Sequence, residues 1–207
     1  MTDYITSDLR LCDPTAAKER GFTSVADHDH TVIKRIRSTA ADGDRLFIIG
    51  DLTVSPDKTT LDTAAVLDNL TEAMDALRQT YSRIYLVLGD RDVAHPMHNR
   101  TSRRWWASYP HLASTVSDQS TLTIAGKTVL LNHLAYDDTE HPQWVLRDLG
   151  APLLHGHTPG RRPVDTSTGS LQIDVSLDAW DGRPVSKDTV NDLIEQYAAP
   201  TVAGHKR

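Results

Sequence analysis

Cysteine and long apolar runs are what this sequence has least of. Cys12 is the single cysteine among 207 residues. One thiol excludes an internal disulfide, so the chain does not require an oxidising compartment. No apolar run approaches the roughly 18 residues that span a bilayer, which excludes a membrane helix, and the polar N-terminus lacks a basic-then-apolar signal pattern. We therefore predict a cytoplasmic protein with no membrane partner.

Positive charge is also in short supply. The chain has 22 Lys and Arg against 28 Asp and Glu, a net charge of −6, which does not favour nucleic acid as a partner. Hydrophobic residues at 39% and charged residues at 24% are typical of a globular domain. The length suits one domain with a sizeable core. We predict a single domain over residues 1–199 and a flexible tail over residues 200–207.

Short apolar runs alternate with helical patterns in the first half of the chain. The patterns predict strands at residues 4–8, 46–49 and 84–88, and helices at residues 23–41 and 61–77. The run at 46–49 is apolar throughout, as expected for a strand buried on both faces. The second half predicts mainly strands: a hairpin over 122–131 that turns at 125–127, a short helix at 142–149, strands at 153–154 and 171–175, and a last helix at 188–198.

Acidic and histidine residues follow the predicted strands. Asp8, Asp51 and Asp90 end the first three strands, and His133 and His157 end two later ones. In an open α/β sheet, ligands bind beyond the carboxyl ends of the strands. A single Gly-Asp there is usually a turn, and a single His is usually a hydrogen-bonded or surface residue. The ordered set of five favours a metal site, because converging carboxylates repel without cations and imidazole and carboxylate suit divalent metals.

This ordered series resembles the signature of the calcineurin-like metallophosphoesterases, in particular their small bacterial and phage-type members. The family signature is Asp-x-His, Gly-Asp, Gly-Asn-His-Asp/Glu, a lone His, and Gly-His-x-His. Here the corresponding segments are Ser7-Asp8-Leu9-Arg10, Gly50-Asp51, Gly89-Asp90-Arg91-Asp92, Asn132-His133 and Gly156-His157-Thr158-Pro159. Residues 22–25 and 178–186 also resemble segments of the small members, so the similarity spans roughly residues 4–195.

The resemblance implies a fold, a metal centre and a reaction. The implied fold is an α/β protein with a calcineurin-like two-sheet β-sandwich flanked by helices, in four layers αββα. The implied centre holds two metals at the sheet edge, where a metal-bridging hydroxide attacks phosphorus. Carried over, Asp8 would bind the first metal and Asp51 would bridge both metals. The second metal would be bound by Asp90, His133 and His157.

Four positions depart from the family pattern. Arg10 and Pro159 stand where the family has histidines for the first metal, Asp90 replaces a ligand Asn, and Arg91 replaces the histidine that contacts substrate. Arginine has no lone pair to offer, and proline has no side-chain donor atom. The second metal site therefore keeps a complete ligand set while the first loses most of its own. We expect one divalent cation (Mn, Zn, Fe or Mg) at the second site, with a metal-free site as the alternative.

The two new arginines suggest what replaced the first metal. We hypothesise that the guanidinium groups of Arg10 and Arg91 pair with Asp8, Asp51 and Asp90; the alternative is that both arginines point to solvent. One functional interpretation is a pseudoenzyme with weak or absent phosphoester hydrolysis, which binds an anionic ligand or a protein partner. The other is an active single-metal phosphodiesterase or phosphomonoesterase.

If the protein is an active enzyme, particular residues are expected to bind the phosphate and to take part in catalysis. Arg10 and Arg91 would clamp the phosphate, and the candidate catalytic residues are Arg10, Arg91 and Asp92. In either interpretation the expected ligand is a phosphate-containing small molecule or a nucleotide, unless the partner is a protein. Trp105 and Trp106 lie in an arginine-rich stretch that could stack nucleotides, although packing onto the core is the commoner role of such a pair.

Overall fold

A computed structural model describes residues 1–54, 62–98, 100–157 and 162–198 of the chain. In chain order, the strands of these residues are β1 Asp3–Thr6, β2 Asp44–Ile49, β3 Tyr81–Val87, β4 Thr115–Ser117, β5 Ser120–Ile124, β6 Lys127–Leu131, β7 Leu153–His155, β8 Val164–Asp165, β9 Gln172–Asp174 and β10 Val185–Ser186. The helices are α1 Pro14–Glu19, α2 Val25–Thr39, α3 Thr63–Arg78, α4 Arg100–Trp106 and α5 Lys187–Ala198. No helix among these residues is long and apolar enough to cross a membrane.

The strands form two five-stranded sheets. The first sheet has the order β10-β1-β2-β3-β4, in which β1 to β4 run parallel and β10 is antiparallel to β1. The second has the order β5-β6-β7-β9-β8, with a parallel centre of β6, β7 and β9. Together with the flanking helices, the two sheets confirm the predicted calcineurin-like sandwich.

Strand β2 shows why the fold needs a strand that is apolar at every position. Leu46 and Ile48 face the cluster that contains the buried residues of α2 and α3. Phe47 and Ile49 face the cluster between the two sheets. Because side chains alternate across a strand, each face of β2 meets a different apolar layer. Asp51 follows the carboxyl end of this buried strand and therefore lies at the sheet edge.

The sequence predictions of local structure differ in outcome. The hairpin of β5 and β6 is confirmed, with Ala125 at φ 52° and Gly126 at φ 69°, the two left-handed residues of a type I′ turn. The predicted helix at residues 142–149 is wrong, because this segment forms turns and irregular backbone. Trp144 packs edge-on against His95, whereas Leu149 is 78% exposed, so the apolar residues of the segment share no buried face. Residue 61 of the second predicted helix and the predicted tail at 200–207 lie outside the described residues.

Cys12 lies in the core that α2 and α3 cover, and it is 1% exposed. Burial raises the pKa of its thiol to about 11, and the neighbouring carboxylate of Asp29 adds to the effect. We expect a thiol reagent such as DTNB to modify the folded chain at least about 100-fold more slowly than the chain unfolded in guanidinium. Similar rates in the two states would contradict the buried position.

Candidate metal centre

The ends of β1 and β2 turn sharply, and the two turns run side by side. Asp8, Arg10 and Asp51 have φ values of 57°, 51° and 53°, in the left-handed region that residues other than glycine seldom adopt. The Asp8 amide donates to the Gly50 carbonyl at 3.0 Å, and the Arg10 amide donates to the Asp51 carbonyl at 2.9 Å. Such backbone strain is maintained where a site needs a fixed geometry.

Glycines precede several of the candidate ligands because the chain passes close to other side chains there. A Cβ at Gly50 would overlap the ring of His133, and a Cβ at Gly156 would overlap the carboxylate of Asp8. Side chains of strands in both sheets can therefore approach one another only because these positions carry no side chain. This explains the Gly-Asp and Gly-His pairs in the sequence.

Arg20 stabilises the turn after β1 through hydrogen bonds to its backbone carbonyls. Its guanidinium donates to the Asp8 carbonyl at 2.7 Å and to the Leu9 carbonyl at 3.1 Å. It also pairs with both carboxylate oxygens of Asp178 at 2.8 and 2.9 Å, and it contacts His28 Nε2 at 3.0 Å. The conformation that presents Asp8 is thus supported by contacts to residues that are far away in the sequence.

Four of the predicted ligands meet at one point of the sheet edge. His133 Nε2 lies 3.3 Å from Asp51 Oδ1 and 3.1 Å from Asp90 Oδ1, and His157 Nδ1 lies 2.8 Å from Asp90 Oδ1. In a tetrahedral site with bonds of the usual length, neighbouring ligand atoms are about 3.3 Å apart. The spacing is therefore close to that of a cation site. Asp8, Asp51 and His133 form an overlapping group whose ligand atoms lie within 4.8 Å of one another.

The hydrogen bonding of His133 fits a cation ligand. Its Nδ1 lies 2.8 Å from the Ile49 carbonyl, which accepts the ring proton and leaves the lone pair of the neutral ring on Nε2. His133 Nε2 and Asp90 Oδ1 are both buried, and neither has a hydrogen-bond partner of acceptable geometry among the described residues. Two acceptor atoms that face each other at 3.1 Å need a cation or a proton between them.

The electrostatics of the ligands indicate the same need. Burial lowers the pKa of His133, but Asp51 and Asp90 raise it by more, so that the pKa is well above its usual range. Burial raises the pKa of Asp90, but His133 and His157 lower it by more. Without a metal, the cluster therefore favours protons on its imidazoles, and a bound cation would replace them.

Arg10 does not take the partners predicted for it. Its guanidinium pairs with Asp13 Oδ2 at 2.7 Å and with Glu19 Oε2 at 3.1 Å, and the structure shows no ion pair of Arg10 with Asp8 or Asp51. Asp13, which is 1% exposed, also caps α1 by accepting from two backbone amides. The sequence analysis missed Asp13, although an Asp before Pro14 is a recognisable helix start.

Arg91 does take a predicted partner. Its Nε lies 3.2 Å from Asp51 Oδ2, and its backbone amide donates to Asp51 Oδ1 at 3.0 Å. Its Nη1 lies 3.8 Å from Asp13 Oδ2. The guanidinium therefore lies against the oxygen of Asp51 that does not face His133. The predicted pairing of Arg91 with Asp51 is therefore present in the structure, and Asp13 is a further member of the cluster that the sequence did not indicate.

Asp92 lies behind the cluster and is fully buried. One of its oxygens accepts from the Gly89 amide at 2.8 Å, and the other accepts from the Leu52 amide at 3.1 Å and the Thr53 amide at 3.4 Å. Burial and the nearby charge of Asp51 raise the pKa of Asp92 to about 7. These contacts tie the turn after β3 to the turn after β2. They favour a positioning role for Asp92 over direct contact with a ligand.

The loop after β6 adds three residues that the sequence analysis did not name. His157 Nε2 lies 3.4 Å from Asp138 Oδ2 and 3.7 Å from Glu140 Oε2, and His141 Nε2 lies 3.7 Å from Asp90 Oδ2. None of these loop residues follows a strand directly, so no pattern in the sequence connects them to the site. Pro159 lies outside the described residues.

The fold and the site together define the class of this protein: a calcineurin-like two-sheet sandwich that carries groups able to hold a metal ion at its strand ends. The sequence is 30% identical over 204 residues to the gene 66 protein of Mycobacterium phage L5, covering 92% of this chain and 93% of that protein. It is 33% identical to the gene 66 protein of Mycobacterium phage D29, covering 93% of this chain and 97% of that protein. The chain belongs to the family of these gene 66 proteins.

Solved structures share the fold at low sequence identity. A protein of unknown function from Aquifex aeolicus matches with a TM-score of 0.65 and 16% identity, covering 93% of this chain and 99% of that chain. A phosphopantetheinyl hydrolase from Mycobacterium tuberculosis matches with a TM-score of 0.51 and 11% identity, covering 89% of this chain and 95% of that chain. No protein-family model matches the sequence.

Proposed function

We propose that this protein is a metallophosphoesterase-like protein of the calcineurin-like superfamily with a single cation site in place of a pair. The ligands are Asp51, Asp90 and His133, with His157 as the fourth. Arg91, held by Asp51 and Asp13, occupies the side where the family has its first metal. The protein binds a phosphate-containing ligand there, and its hydrolysis of phosphoesters is weak or absent. The observation that carries the proposal is the buried contact of His133 Nε2 with Asp90 Oδ1 without a hydrogen bond.

The charge balance of the cluster supports one divalent cation. The carboxylates of Asp8, Asp13, Asp51 and Asp90 lie here with the guanidinium groups of Arg10 and Arg91. Glu19, the second partner of Arg10, has a side chain that is 60% exposed to water. With neutral imidazoles, two negative charges therefore remain uncompensated in the buried part of the site, which is costly without a partner. One divalent cation neutralises them, whereas a second cation beside Arg91 would add an excess of positive charge.

Each residue of the site has a chemical role in this proposal. A bound cation would polarise a phosphoryl oxygen and lower the pKa of a bound water. Arg91, whose side chain is 33% exposed, can donate to a phosphate oxygen from the nitrogen that neither carboxylate engages. Arg10 is 7% exposed and committed to Asp13 and Glu19, so it is poorly placed as a clamp. Its role is to compensate the charge of Asp13.

Weak or absent hydrolysis follows from the same substitutions. Arg91 stands where the family has the histidine that contacts substrate, and a guanidinium keeps its proton at neutral pH, so it cannot donate one to a leaving group. The fold likeness to a phosphopantetheinyl hydrolase supports a phosphate ester as the ligand class by analogy alone.

An active single-metal phosphoesterase is the second candidate. It is favoured by one observation, the half-exposed guanidinium of Arg91 beside Asp51. In that case Arg91 would stabilise the negative charge that develops on phosphorus-bound oxygens. The two candidates predict different rates and the same ligand set, so a rate measurement separates them.

The test is hydrolysis of bis(p-nitrophenyl) phosphate with added manganese, compared between the wild type and a revertant. The revertant carries Arg10→His, Asp90→Asn, Arg91→His and Pro159→His. Because removal of Arg10 leaves the buried Asp13 unpaired, a second revertant also carries Asp13→Asn, which keeps an acceptor oxygen for the helix cap. We expect little or no turnover in the wild type and clear turnover in at least one revertant.

The controls make the comparison decisive. Cation binding by the wild type is measured in the same buffer by calorimetry. This distinguishes a protein that binds the cation without hydrolysing substrate from a protein that binds no cation. Wild-type turnover equal to that of the revertants would overturn the proposal in favour of the active enzyme. A wild type that binds no divalent cation would overturn both candidates.

A further inference from the structure

The loop after β6 is built around Asp138. Asp138 Oδ1 accepts from the Glu140 amide at 3.0 Å and from the His141 amide at 2.8 Å. This turn fixes the backbone of both residues. Asp138 Oδ2 remains, and it lies 3.4 Å from His157 Nε2. The side chain of Asp138 is only 5% exposed, so its second oxygen is largely withdrawn from water.

The contacts around His157 Nε2 are spaced as ligand atoms rather than as hydrogen bonds. Glu140 Oε2 lies 3.7 Å from this nitrogen, beyond the limit of a useful hydrogen bond. The ring centroids of His141 and His157 are 5.6 Å apart. Ligand atoms of Glu140, His141 and His157 all lie within 4.8 Å of one another. Neighbouring ligands in a tetrahedral site are about 3.3 Å apart, so small side-chain movements would close the group around an ion.

His157 is oriented for this role by Asp90. Nδ1 of the ring lies 2.8 Å from Asp90 Oδ1, and the opposite nitrogen, Nε2, faces the loop, where it lies 3.4 Å from Asp138 Oδ2. A carboxylate beside the other ring nitrogen is the usual support of a metal-binding histidine. The same ring can therefore serve either the cluster at Asp51 or the loop at Asp138.

We propose that His157 Nε2, His141, Glu140 and Asp138 form a second divalent-cation site, here called the loop site. Two imidazoles and two carboxylates suit borderline cations such as Zn²⁺, Co²⁺ or Mn²⁺. When the loop site is filled, the group of ligands at the strand ends, here called the first cluster, consists of Asp51, Asp90 and His133. Three protein ligands with one open position are typical of a site that takes a substrate or water.

The loop site goes beyond the proposed function, because it adds a second cation on the side away from Arg91. The protein would then bind two cations, as the family does, but at different positions. The guanidinium of Arg91 takes the place of one family metal, and the additional cation lies at the loop. Glu140 is 76% exposed, so the loop site opens to solvent and can accept an ion or an anionic ligand.

The test is a cobalt titration of the full-length, metal-free protein. Bound cobalt per chain is measured by calorimetry and by elemental analysis after desalting. The variants are Glu140→Gln with His141→Asn for the loop site and Asp51→Asn with His133→Asn for the first cluster. His111→Asn, an exposed histidine outside both groups, is the matched control. Melting curves and circular dichroism establish that each variant is folded, and His141→Asn alone replaces the double variant if needed.

We expect two cobalt ions in the wild type and the control and one in each double variant. A wild type that binds one ion, unaffected by the loop variants and lost with the cluster variants, would overturn the loop site and leave the proposed function intact. One ion that is lost with the loop variants and kept by the cluster variants would support the loop site and overturn the proposed function. Two ions retained by the loop variants would also overturn the loop site.

Discussion

A His133→Asn variant is expected to bind a divalent cation at Asp51 and Asp90 with an affinity at least about 100-fold below that of the wild type. His133 supplies the nitrogen between Asp51 and Asp90, and its buried ring is fixed by the Ile49 carbonyl. The shorter amide cannot reach the same point. Without this ligand the carboxylates repel each other and no longer define one position for an ion.

The readout for this variant is thermal stability as a function of added cation. A ligand that binds only the folded state raises the melting temperature as its concentration rises above the dissociation constant. The comparison is made in a His141→Asn background, which removes the loop site: the chain with His133 should show this rise with zinc or manganese, and His133→Asn should not. His95→Asn is the control, since His95 is also buried but is not one of the proposed ligands, and burial lowers its pKa to about 4, so that it carries no charge. An equal rise in His133→Asn would disprove the ligand assignment.

An Arg10→Ala variant is expected to lose about 3 kcal/mol of its free energy of unfolding at neutral pH. Arg10 contacts Asp13 Oδ2 through Nε at 2.9 Å and through Nη2 at 2.7 Å, and both side chains are nearly inaccessible to water. Removal of the guanidinium leaves a buried carboxylate whose nearest remaining cation is Arg91 at 3.8 Å. The double variant Arg10→Ala/Asp13→Asn should lose less, because asparagine has no charge to bury and still caps α1.

The pH dependence of this loss follows from Asp13. Burial raises the pKa of Asp13, but the Ala16 amide and Arg10 lower it by more, so the folded pKa lies below the unfolded value of about 3.9. A group with a depressed folded pKa contributes stability above its unfolded pKa and loses it as the pH falls through the folded pKa. The difference between wild type and Arg10→Ala should therefore be largest above about pH 4 and shrink in acid. Urea unfolding at several pH values measures it, and a constant difference would be inconsistent with the ion pair.

In the proposed function, the change from the family site affects only the first-metal side, and the ion pairs of the structure are compatible with that. Arg91 lies against Asp51 Oδ2, the oxygen that does not face His133, and Asp13 extends the ion-pair cluster to Arg10. On the other face, His133 and Asp90 keep the contact that needs a cation. An arginine that replaces a metal retains the charge compensation without the coordination chemistry, which is consistent with a binding role.

The sequence by itself determined the sandwich and most of the acidic and histidine residues that meet at the sheet edge. Apolar runs such as residues 46–49 must be buried on both faces, and the Gly-Asp and Gly-His pairs that follow strands must meet at the sheet edge because parallel strands end on the same side. Those constraints are local or follow from sheet geometry, so they can be recognised without coordinates. The residue types alone also showed that Arg10 and Arg91 depart from the family signature.

Only the tertiary structure decided how the charges pair and which loops join the site. The sequence suggested Asp8 and Asp51 as partners for Arg10, but the left-handed turn at Arg10 directs its side chain to Asp13 and Glu19. Likewise, Glu140 and His141 reach His157 through a loop whose path depends on the packing of both sheets. Ion pairs between distant residues depend on side-chain direction and burial, which residue order does not specify. For this reason Arg91 pairs with its predicted partner Asp51, whereas Arg10 pairs with Asp13 and Glu19 instead.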